Sequence, residues 1–490
     1  MLNLVDDCWI PVRRKDGSRA VIAPWQMADS TLEFPDWPRP DLNIACLELL
    51  IGLVFLADPP GGAEDWEGRQ PPDPDRLKER LAPFAPAFDL LGDGPRFLQD
   101  MEAFEGKEKD PNPADMLFID SAGGQTLRNN ADLSVKRARY PVLSLGMAAM
   151  ALFTLQAHAP SGGKGNRTSM RGGGPMVTLV DPGQGLWSLI WANVPGGAPA
   201  TPDVLPWMRA TRGSAQGQEV FPQDAHPAEA LFGMPRRLRL VGGDEGIRGV
   251  VQRPYGTDYA GWEHPLTPHY RQKPGAELLP RHPRAGWFGY RNWLGVSVRR
   301  GSEDDTVRRA RVVDLWGQRS RDWAEILVAG WAMDNMKPRD FVFSRAPVLN
   351  LPGDVAAQLE GMVEAADKIA AVLRGALAPV LAEGEAREAA REVFFMQTQA
   401  AFEARAGKLT AVNFMNEARG WLEDMRAVAL RIFNDLALPG LADRDSKAQA
   451  EIIGAQRGLV WAFAGYGKLG REAYLALGLP VPEQKKGKAA

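Results

Sequence analysis

The feature that most limits what this chain can fold into is a change of sequence pattern after Pro352 and Gly353. Beyond this point proline and glycine become scarce, and alanine, leucine, glutamate and arginine dominate. Apolar residues recur there at spacings of three and four, the period of an amphipathic helix. The pattern covers four stretches, at residues 359–377, 385–405, 414–436 and 447–477. Four such helices with short links predict a C-terminal four-helix bundle over residues 351–490, ending in a short basic tail.

The preceding part of the chain has a different character, because short apolar runs alternate with segments rich in proline and glycine. Three of the runs favour β-strands and two apolar stretches favour buried helices. They are the runs 176–180, 186–191 and 294–299 and the stretches 43–56 and 144–157. The expected fold class is α+β, with a large irregular mixed α/β N-terminal domain over residues 1–350 followed by the bundle. Long loops are usually functional, so this domain is predicted to carry contact loops.

The charge balance limits how the chain can bind nucleic acid. It contains 58 Lys and Arg against 61 Asp and Glu, which gives a formal net charge of −3. A phosphate backbone is held by clustered cations. Any nucleic-acid contact must therefore come from local basic patches rather than from the average charge.

Cysteine content and the N-terminal sequence indicate the cellular location of the protein. Cys8 and Cys46 are too few for a disulfide framework or a cysteine-ligated structural zinc site. We expect no metal, no other cofactor and a cytoplasmic location. The first residues mix acids and bases where a signal peptide needs an apolar run. The apolar stretch 44–57 contains Glu48 and is shorter than the roughly 20 residues of a membrane span, so no membrane segment is expected.

A search for catalytic motifs finds little. Of the five histidines, only His264 and His269 are close in sequence, and their spacing matches no metal-binding motif. A GxSxG motif is absent, and Lys164 is followed by Gly165 rather than by the Ser or Thr that a phosphate-binding Walker motif requires. The sequence therefore favours a protein that is not an enzyme.

The segment 159–175, APSGGKGNRTSMRGGGP, is the most informative part of the chain. It holds six glycines and three cations, Lys164, Arg167 and Arg171. Glycines let a backbone approach another chain closely, and exposed N–H groups with cations suit phosphate oxygens. A flexible hairpin loop with solvated charges is the alternative interpretation.

Three segments resemble the CasA family, the large subunit of the type I-E CRISPR surveillance complex called Cascade. The first is 151–180, which contains the glycine-rich segment, and the second is the opening LVDDCWIPVRRKDG, with Asp7, Trp9 and Val12 in the family's N-terminal signature. The third is GWAMDNMKPRDFVF, residues 330–343, which is similar to the family's wedge hairpin. Since the predicted bundle also lies where the family has its own, the resemblance covers essentially the whole chain.

The resemblance implies a non-catalytic binding subunit. Members of the family recognise the protospacer-adjacent motif (PAM) in double-stranded DNA and help to open the duplex so that guide RNA can pair. They also recruit the helicase-nuclease. The implied partners are the backbone and small subunits of Cascade, the 5′ end of the CRISPR guide RNA, double-stranded target DNA and the helicase-nuclease effector, with no membrane. In RNA-guided recognition, the protein recognises a short motif beside the target, and base pairing with the guide RNA recognises the target sequence itself.

The same resemblance implies a set of DNA-binding residues. The family's glycine loop corresponds to Ser161, Gly162, Gly163 and Lys164, and its minor-groove cation to Arg253, which suits a narrow groove. The wedge corresponds to Asn335, Met336 and Lys337, which would supply a hydrogen bond, an apolar insertion and a phosphate contact. A basic pair, Arg299 and Arg300, would track phosphates. Solvated loop residues, and a plain β-turn at Asn335, are the alternatives.

A second implied site is the loop that reaches into the rest of the complex near the 5′ end of the guide RNA. Its residues are Asn130, Leu133, Ser134, Val135, Lys136 and Arg137. Family members often carry Phe in this loop, whereas this chain has Leu133 or Ser134, so aromatic stacking is not expected there.

Two other functions stay open at this point. A hydrolase acting on glycans is one, because 15 Trp and many carboxylates suit sugar binding and hydrolysis. The other is a scaffold that binds nucleic acid or protein without reading a PAM.

Overall fold

The computed structural model describes residues 2–102, 110–121, 123, 127–130, 137, 139–298, 306–320 and 322–483. The chain divides into two compact units. The first comprises Met1–Gly286 and Thr306–Val348, and the second comprises Trp287–Asp305 and Leu349–Ala490. The predicted fold class, a mixed α/β part with a C-terminal helical part, is confirmed.

Twelve strands occur among the described residues, all in the first unit. They are β1 Ile10–Arg14, β2 Arg19–Ile22, β3 Leu32–Pro35, β4 Asn112–Pro113, β5 Val177–Asp181, β6 Arg237–Gly243, β7 Gly246–Arg253, β8 His269–Tyr270, β9 Leu279–Pro280, β10 Val307–Arg308, β11 Glu325–Asp334 and β12 Lys337–Pro347. They form four small antiparallel sheets, in the orders β2-β1-β3, β4-β7-β6, β10-β8-β9 and β12-β11-β5.

The helices fall into two groups, one in each unit. The first unit contains α1 Pro40–Ala57, α2 Ala63–Gly68, α3 Pro74–Leu81, α4 Leu145–His158, α5 Leu186–Ala192, α6 Glu229–Phe232 and α7 Arg311–Arg319. The second unit contains α8 Gly353–Ala376, α9 Glu385–Ala406, α10 Phe414–Ala437, α11 Ser446–Phe463 and α12 Gly467–Ala476.

Helices α1 and α4 form the core of the first unit, as their apolar sequences predict. Helix α1 begins with Pro40 in its first turn and runs for 18 residues. It is longer than the stretch 43–56 expected from sequence. By length and composition it could cross a membrane, but 89% of it is buried within the protein, which is typical of a core helix. Ser144 caps α4, because its side chain accepts a hydrogen bond from the Met147 N–H.

Of the three predicted strands, one forms among the residues that the structure describes. Residues 177–181 form β5, close to the expected run, but 186–191 lie in α5 and not in a strand. A short apolar run does not distinguish the two structures by its period. The helix places Trp187 and Trp191 on one face, where their rings stack at 5.5 Å. In the described part of the third run, 294–298, only isolated bridges occur, at Leu294 and Val298.

The second unit is a helical assembly around a cluster of aromatic side chains. Tyr290 stacks on Phe402 with ring centroids 4.2 Å apart, and both contact Trp421. The Trp421 indole N–H donates to the Met362 carbonyl at 2.9 Å. Three of the four predicted helices appear where the periodicity places them. The fourth stretch, 447–477, is divided into α11 and α12 at a turn that contains Gly465 with φ +80°, so the described residues of this part form five α-helices instead of four.

Candidate nucleic-acid interface

The glycine-rich segment, residues 159–175, leaves the C-terminal end of α4 and leads into β5. Two backbone hydrogen bonds close its base. The Ser169 N–H donates to the Ala159 carbonyl at 2.9 Å, and the Gly174 N–H donates to the His158 carbonyl at 3.1 Å. Between these bonds the chain turns outward, and residues 161–164, the glycine loop, are exposed. The four residues are thus accessible to a partner, while their role in DNA binding stays a prediction.

Asn166 shapes the glycine loop from within. Its N–H donates to the Gly163 carbonyl at 3.1 Å, and its side-chain amide donates to the Gly162 carbonyl at 2.9 Å. Gly163 and Gly165 have φ values of +91° and +79°, which L-residues rarely adopt. The loop is therefore a defined turn that needs glycine at these two positions, with the Lys164 side chain exposed between them.

The last residue of β7, Arg253, lies beside this loop. The preceding Gln252 donates its side-chain amide to Asn166 Oδ1 at 3.0 Å. On the other side, the Tyr255 N–H donates to the Gly165 carbonyl at 2.6 Å. The structure thus brings the loop that carries Lys164 next to half-buried Arg253, although 89 positions separate them in sequence.

The hairpin of β11 and β12 ends in a two-residue turn, with Asp334 paired to Lys337. The turn residues Asn335 and Met336 have φ values of +49° and +61°, both positive as a type I′ hairpin turn requires. Asn335, Met336 and Lys337 are all exposed, and Met336 has 48% of its surface exposed. A methionine in this conformation is uncommon, because side chains other than Asn, Asp and Gly are strained there. The hairpin therefore contains the β-turn that was the alternative interpretation of Asn335 in the sequence. This turn also presents an apolar side chain, Met336, at its tip.

The hairpin packs on the glycine-rich segment through two further glycines. A Cβ atom added to Gly174 would lie 2.5 Å from the Trp331 carbonyl oxygen, so only glycine allows this approach. A Cβ atom on Gly173 would lie 3.2 Å from the Met336 sulfur. The segment, the end of β7 and the hairpin turn therefore meet in one region of the first unit.

A buried ion pair, absent from the sequence prediction, anchors the glycine-rich segment to α1. The Arg171 guanidinium donates to Glu48 at 2.6 Å and to the Ala157 carbonyl at 3.3 Å, and His158 Nε2 lies 2.6 Å from the same carboxylate. Burial alone would raise the pKa of Glu48, but Arg171 and His158 beside it hold that pKa below its ordinary value. Glu48 is the one charged residue between positions 43 and 57, which is the signal that could have found the pair.

Two more histidines lie close to this ion pair and are kept neutral by burial. Burial, with the Arg171 charge nearby, lowers the pKa of His264 well below its ordinary value. Burial also lowers the pKa of His269 to about 4. Among the described residues, no group of three or more His, Cys, Asp or Glu side chains is placed to hold a metal ion.

Several predicted residues lie outside the described residues. These are Arg299 and Arg300 of the basic pair and Leu133, Ser134, Val135 and Lys136 of the docking loop. The two flanking members of the docking loop are described and contact each other. Arg137 donates to Asn130 Oδ1 at 2.9 Å and to the Leu127 carbonyl at 3.1 Å.

Solved structures of similar fold cover nearly the whole chain. The structure of Thermus thermophilus CasA (Cse1) superposes with a TM-score of 0.72 at 18% identity, covering 94% of this chain and 99% of that one. The crystal structure of Thermobifida fusca Cse1 gives a TM-score of 0.73 at 19% identity, covering 97% and 98%. A chain of a CRISPR RNA-guided surveillance complex gives 0.69 at 14% identity, covering 94% and 99%. The fold is therefore the one seen in these CRISPR-associated proteins.

The sequence itself identifies the family. A family model described as CRISPR-associated protein Cse1 matches residues 3–432, which is most of the chain. The chain belongs to the CRISPR-associated Cse1 family. Because CasA and Cse1 are two names for one protein in the Thermus thermophilus structure, the resemblance to the CasA family is confirmed.

Proposed function

We propose that this protein is the large, non-catalytic subunit of a Cascade-type RNA-guided complex, and that it recognises the PAM in double-stranded target DNA. The observation that supports this most is the convergence of the glycine loop, Arg253 and the hairpin turn in one region of the first unit. Each element came from a separate part of the sequence. Their meeting makes a single DNA-binding surface that one PAM could occupy.

The glycine loop and Arg253 are the PAM-reading part of this surface. The exposed Gly162 and Gly163 carry no side chains, so a DNA backbone can approach their peptide groups closely. Lys164 supplies a positive charge at the same place, and Arg253 enters the narrow minor groove, where the negative potential is strongest. Together they favour particular flanking base pairs by groove shape as well as by hydrogen bonds.

The hairpin turn is the part that opens the duplex. Exposed Met336 inserts between base pairs, Asn335 hydrogen-bonds a displaced base, and Lys337 holds a phosphate. Inserted apolar side chains unstack a base step at a cost of a few kcal/mol, which contacts elsewhere on the surface must offset. The positive φ of Met336 supports this role, because non-glycine residues held in sparsely populated backbone conformations cluster at functional sites.

The other partners follow from the family. One structure of similar fold is a chain of a CRISPR RNA-guided surveillance complex, which supports further Cascade subunits and guide RNA as partners here. The loop from Asn130 to Arg137 is the proposed contact with the 5′ end of the guide RNA. Arg299 and Arg300 are proposed to track DNA phosphates. The helicase-nuclease, recruited by this subunit in the cytoplasm, carries out the cleavage.

Three single variants in the assembled complex test this function. Lys164→Ala, Arg253→Ala and Asn335→Ala are each expected to weaken binding to a PAM-containing duplex by about 5- to 150-fold, as for losing one good DNA contact worth about 1–3 kcal/mol. Arg248→Ala is the matched control, because this arginine is also on β7 but is exposed and pairs with Glu245. Unchanged PAM-dependent binding by all three variants would contradict the site assignment.

A further inference from the structure

We propose that Arg236 is a positioning residue that clamps the glycine loop in its DNA-binding shape. The proposal rests on the function proposed above and adds a residue that neither the sequence motifs nor the family resemblance identified. Arg236 immediately precedes β6 and has only 5% of its surface exposed. It is too buried to touch DNA directly, so it acts through the loop.

The guanidinium of Arg236 joins the two sides of the loop. Its Nε donates to the Arg167 carbonyl at 2.6 Å, and its Nη2 donates to the Pro160 carbonyl. These two carbonyls flank the exposed residues 161–164. A planar guanidinium can hold both with a fixed geometry, which a single ammonium group cannot reproduce. This side chain thereby links the two sides of the loop just beyond the backbone hydrogen bond from Ser169 to Ala159.

The Arg236 guanidinium and the Asn166 side chain together crowd Gly162, since a Cβ atom there would lie 2.9 Å from the Asn166 Cβ atom. A Cβ atom at position 162 would lie 2.5 Å from Nη1 and 2.9 Å from Nη2 of Arg236. Both distances are shorter than any ordinary contact between a carbon and a nitrogen atom. The φ of Gly162 is not in the left-handed region, so close approach and not backbone conformation requires glycine here. The absence of a side chain at Gly162 therefore leaves the space that the Arg236 guanidinium occupies.

The backbone of Arg236 is itself held from α4. Its N–H donates to Gln156 Oε1 at 3.0 Å, and the Gln156 amide donates back to the Arg236 carbonyl at 2.9 Å. Gln156 is buried and also donates to the Leu98 carbonyl. The clamp thus transfers the rigidity of the core helix to the exposed loop, which lowers the entropy lost when the loop binds DNA.

The charge of Arg236 adds to the same effect. Among the described residues no carboxylate forms an ion pair with it, and burial lowers its pKa to about 10, which still leaves it charged at neutral pH. An unneutralised cation beneath the glycine loop favours an anionic ligand above it. A lysine at this position keeps the charge but not the two-carbonyl geometry, so Arg236→Lys separates the two contributions.

Hydrogen exchange of the full-length protein tests the clamp without any DNA. The Ser169 and Asn166 amides, whose hydrogen bonds close the loop, are expected to exchange about tenfold faster in Arg236→Gln, because charge-assisted bonds at the base are lost. Arg236→Lys is expected to show the same direction of change, and Arg248→Gln no change. Exchange in both Arg236 variants that matches wild type would overturn the clamp.

Duplex binding by the assembled complex tests the link to function. Arg236→Gln is expected to weaken binding to a PAM-containing duplex by about tenfold, while binding to a duplex without the PAM changes little. Faster exchange without this selective loss would show that Arg236 is merely structural. If wild-type protein itself shows no PAM dependence, the proposed function fails, and the exchange experiment still decides whether the clamp exists.

A double variant tests the match between loop and arginine. Gly162→Ala alone is expected to displace the guanidinium and reduce PAM-dependent binding. Combined with Arg236→Gln, it is expected to cost less than the sum of the two single losses, because the collision with the guanidinium is gone while the contact with the Asn166 Cβ atom at 2.9 Å remains. Losses that simply add would contradict the proposed contact.

Discussion

Replacing Gly165 with alanine tests whether the glycine loop must pack against the end of β7. Gly165 has φ +79°, and a Cβ atom there would lie 2.7 Å from the Pro254 Cβ and 3.2 Å from the Tyr255 ring. The proline ring is rigid, so the loop itself must move. This movement separates Lys164 from Arg253, the two cations proposed to contact one PAM.

The expected loss of stability follows from a comparison of Gly165 with a second glycine, Gly183. Gly183 also has a positive φ, +73°, but a Cβ atom there would meet nothing within 4 Å. Alanine at either position costs about 1–2 kcal/mol for the left-handed backbone. Only Gly165→Ala adds the cost of overpacking, about 1–3 kcal/mol. Gly183→Ala is therefore the control that subtracts the backbone contribution.

Two assays read the difference. In urea unfolding of the full chain, Gly165→Ala is expected to be less stable than Gly183→Ala by about 1–3 kcal/mol. In the assembled complex, it is expected to bind a PAM-containing duplex about 5- to 150-fold more weakly, because Lys164 and Arg253 no longer make both contacts and one good DNA contact is worth about 1–3 kcal/mol. Gly183→Ala should bind like wild type. Equal stability and equal affinity of the two variants would refute the packing of loop on strand.

Three further predictions concern the anchors of this surface. Glu48→Gln is expected to lower the free energy of unfolding by about 3 kcal/mol in urea titrations, because it leaves the buried Arg171 charge without its partner; wild-type stability would contradict the ion pair. Acidification is expected to destabilise the protein through His269. The pKa of His269 in the folded protein, about 4, lies below the ordinary 6.5. The contribution of His269 to the free energy of unfolding is therefore complete above pH 6.5 and is lost as the pH falls towards 4. The loss should reach roughly 2 kcal/mol by about pH 5. If acidification lowers the melting temperature of His269→Gln as much as that of the wild type, His269 is not the source of the loss. Met336→Gly is expected to stabilise the hairpin by about 1 kcal/mol by relieving its positive φ, yet to reduce opening of the duplex, measured by 2-aminopurine fluorescence next to the PAM. Undiminished opening would remove Met336 from the wedge.

The recurrence of apolar residues at spacings of three and four predicted the helices of the second unit well, because this spacing reflects burial against neighbouring helices. The same reasoning failed for 186–191, where six apolar and small residues suit a strand or a helix equally. Packing decides in favour of the helix there, since it places Trp187 and Trp191 together. The break at Gly465 was also missed, because a single glycine is tolerated within a helical pattern.

The candidate site was predictable in its parts but not in its assembly. Composition pointed to the glycine-rich segment, and the resemblance to the CasA family supplied Arg253 and Asn335. The lone charge of Glu48 in an apolar stretch indicates that this carboxylate needs a partner, but the sequence does not show that the partner is Arg171, 123 positions away. Arg236 was equally invisible, since its importance depends on which carbonyls the fold brings to it.

The measurement that tests the central claim most directly is a binding titration of the Cascade backbone with and without this protein. Target duplexes that differ only in the PAM would be titrated, and binding followed by gel shift or fluorescence anisotropy. The proposed function predicts that adding the protein tightens binding strongly for the PAM-containing duplex and little for the others. Binding that does not change on addition, or that rises equally for every duplex, would contradict PAM recognition by this chain.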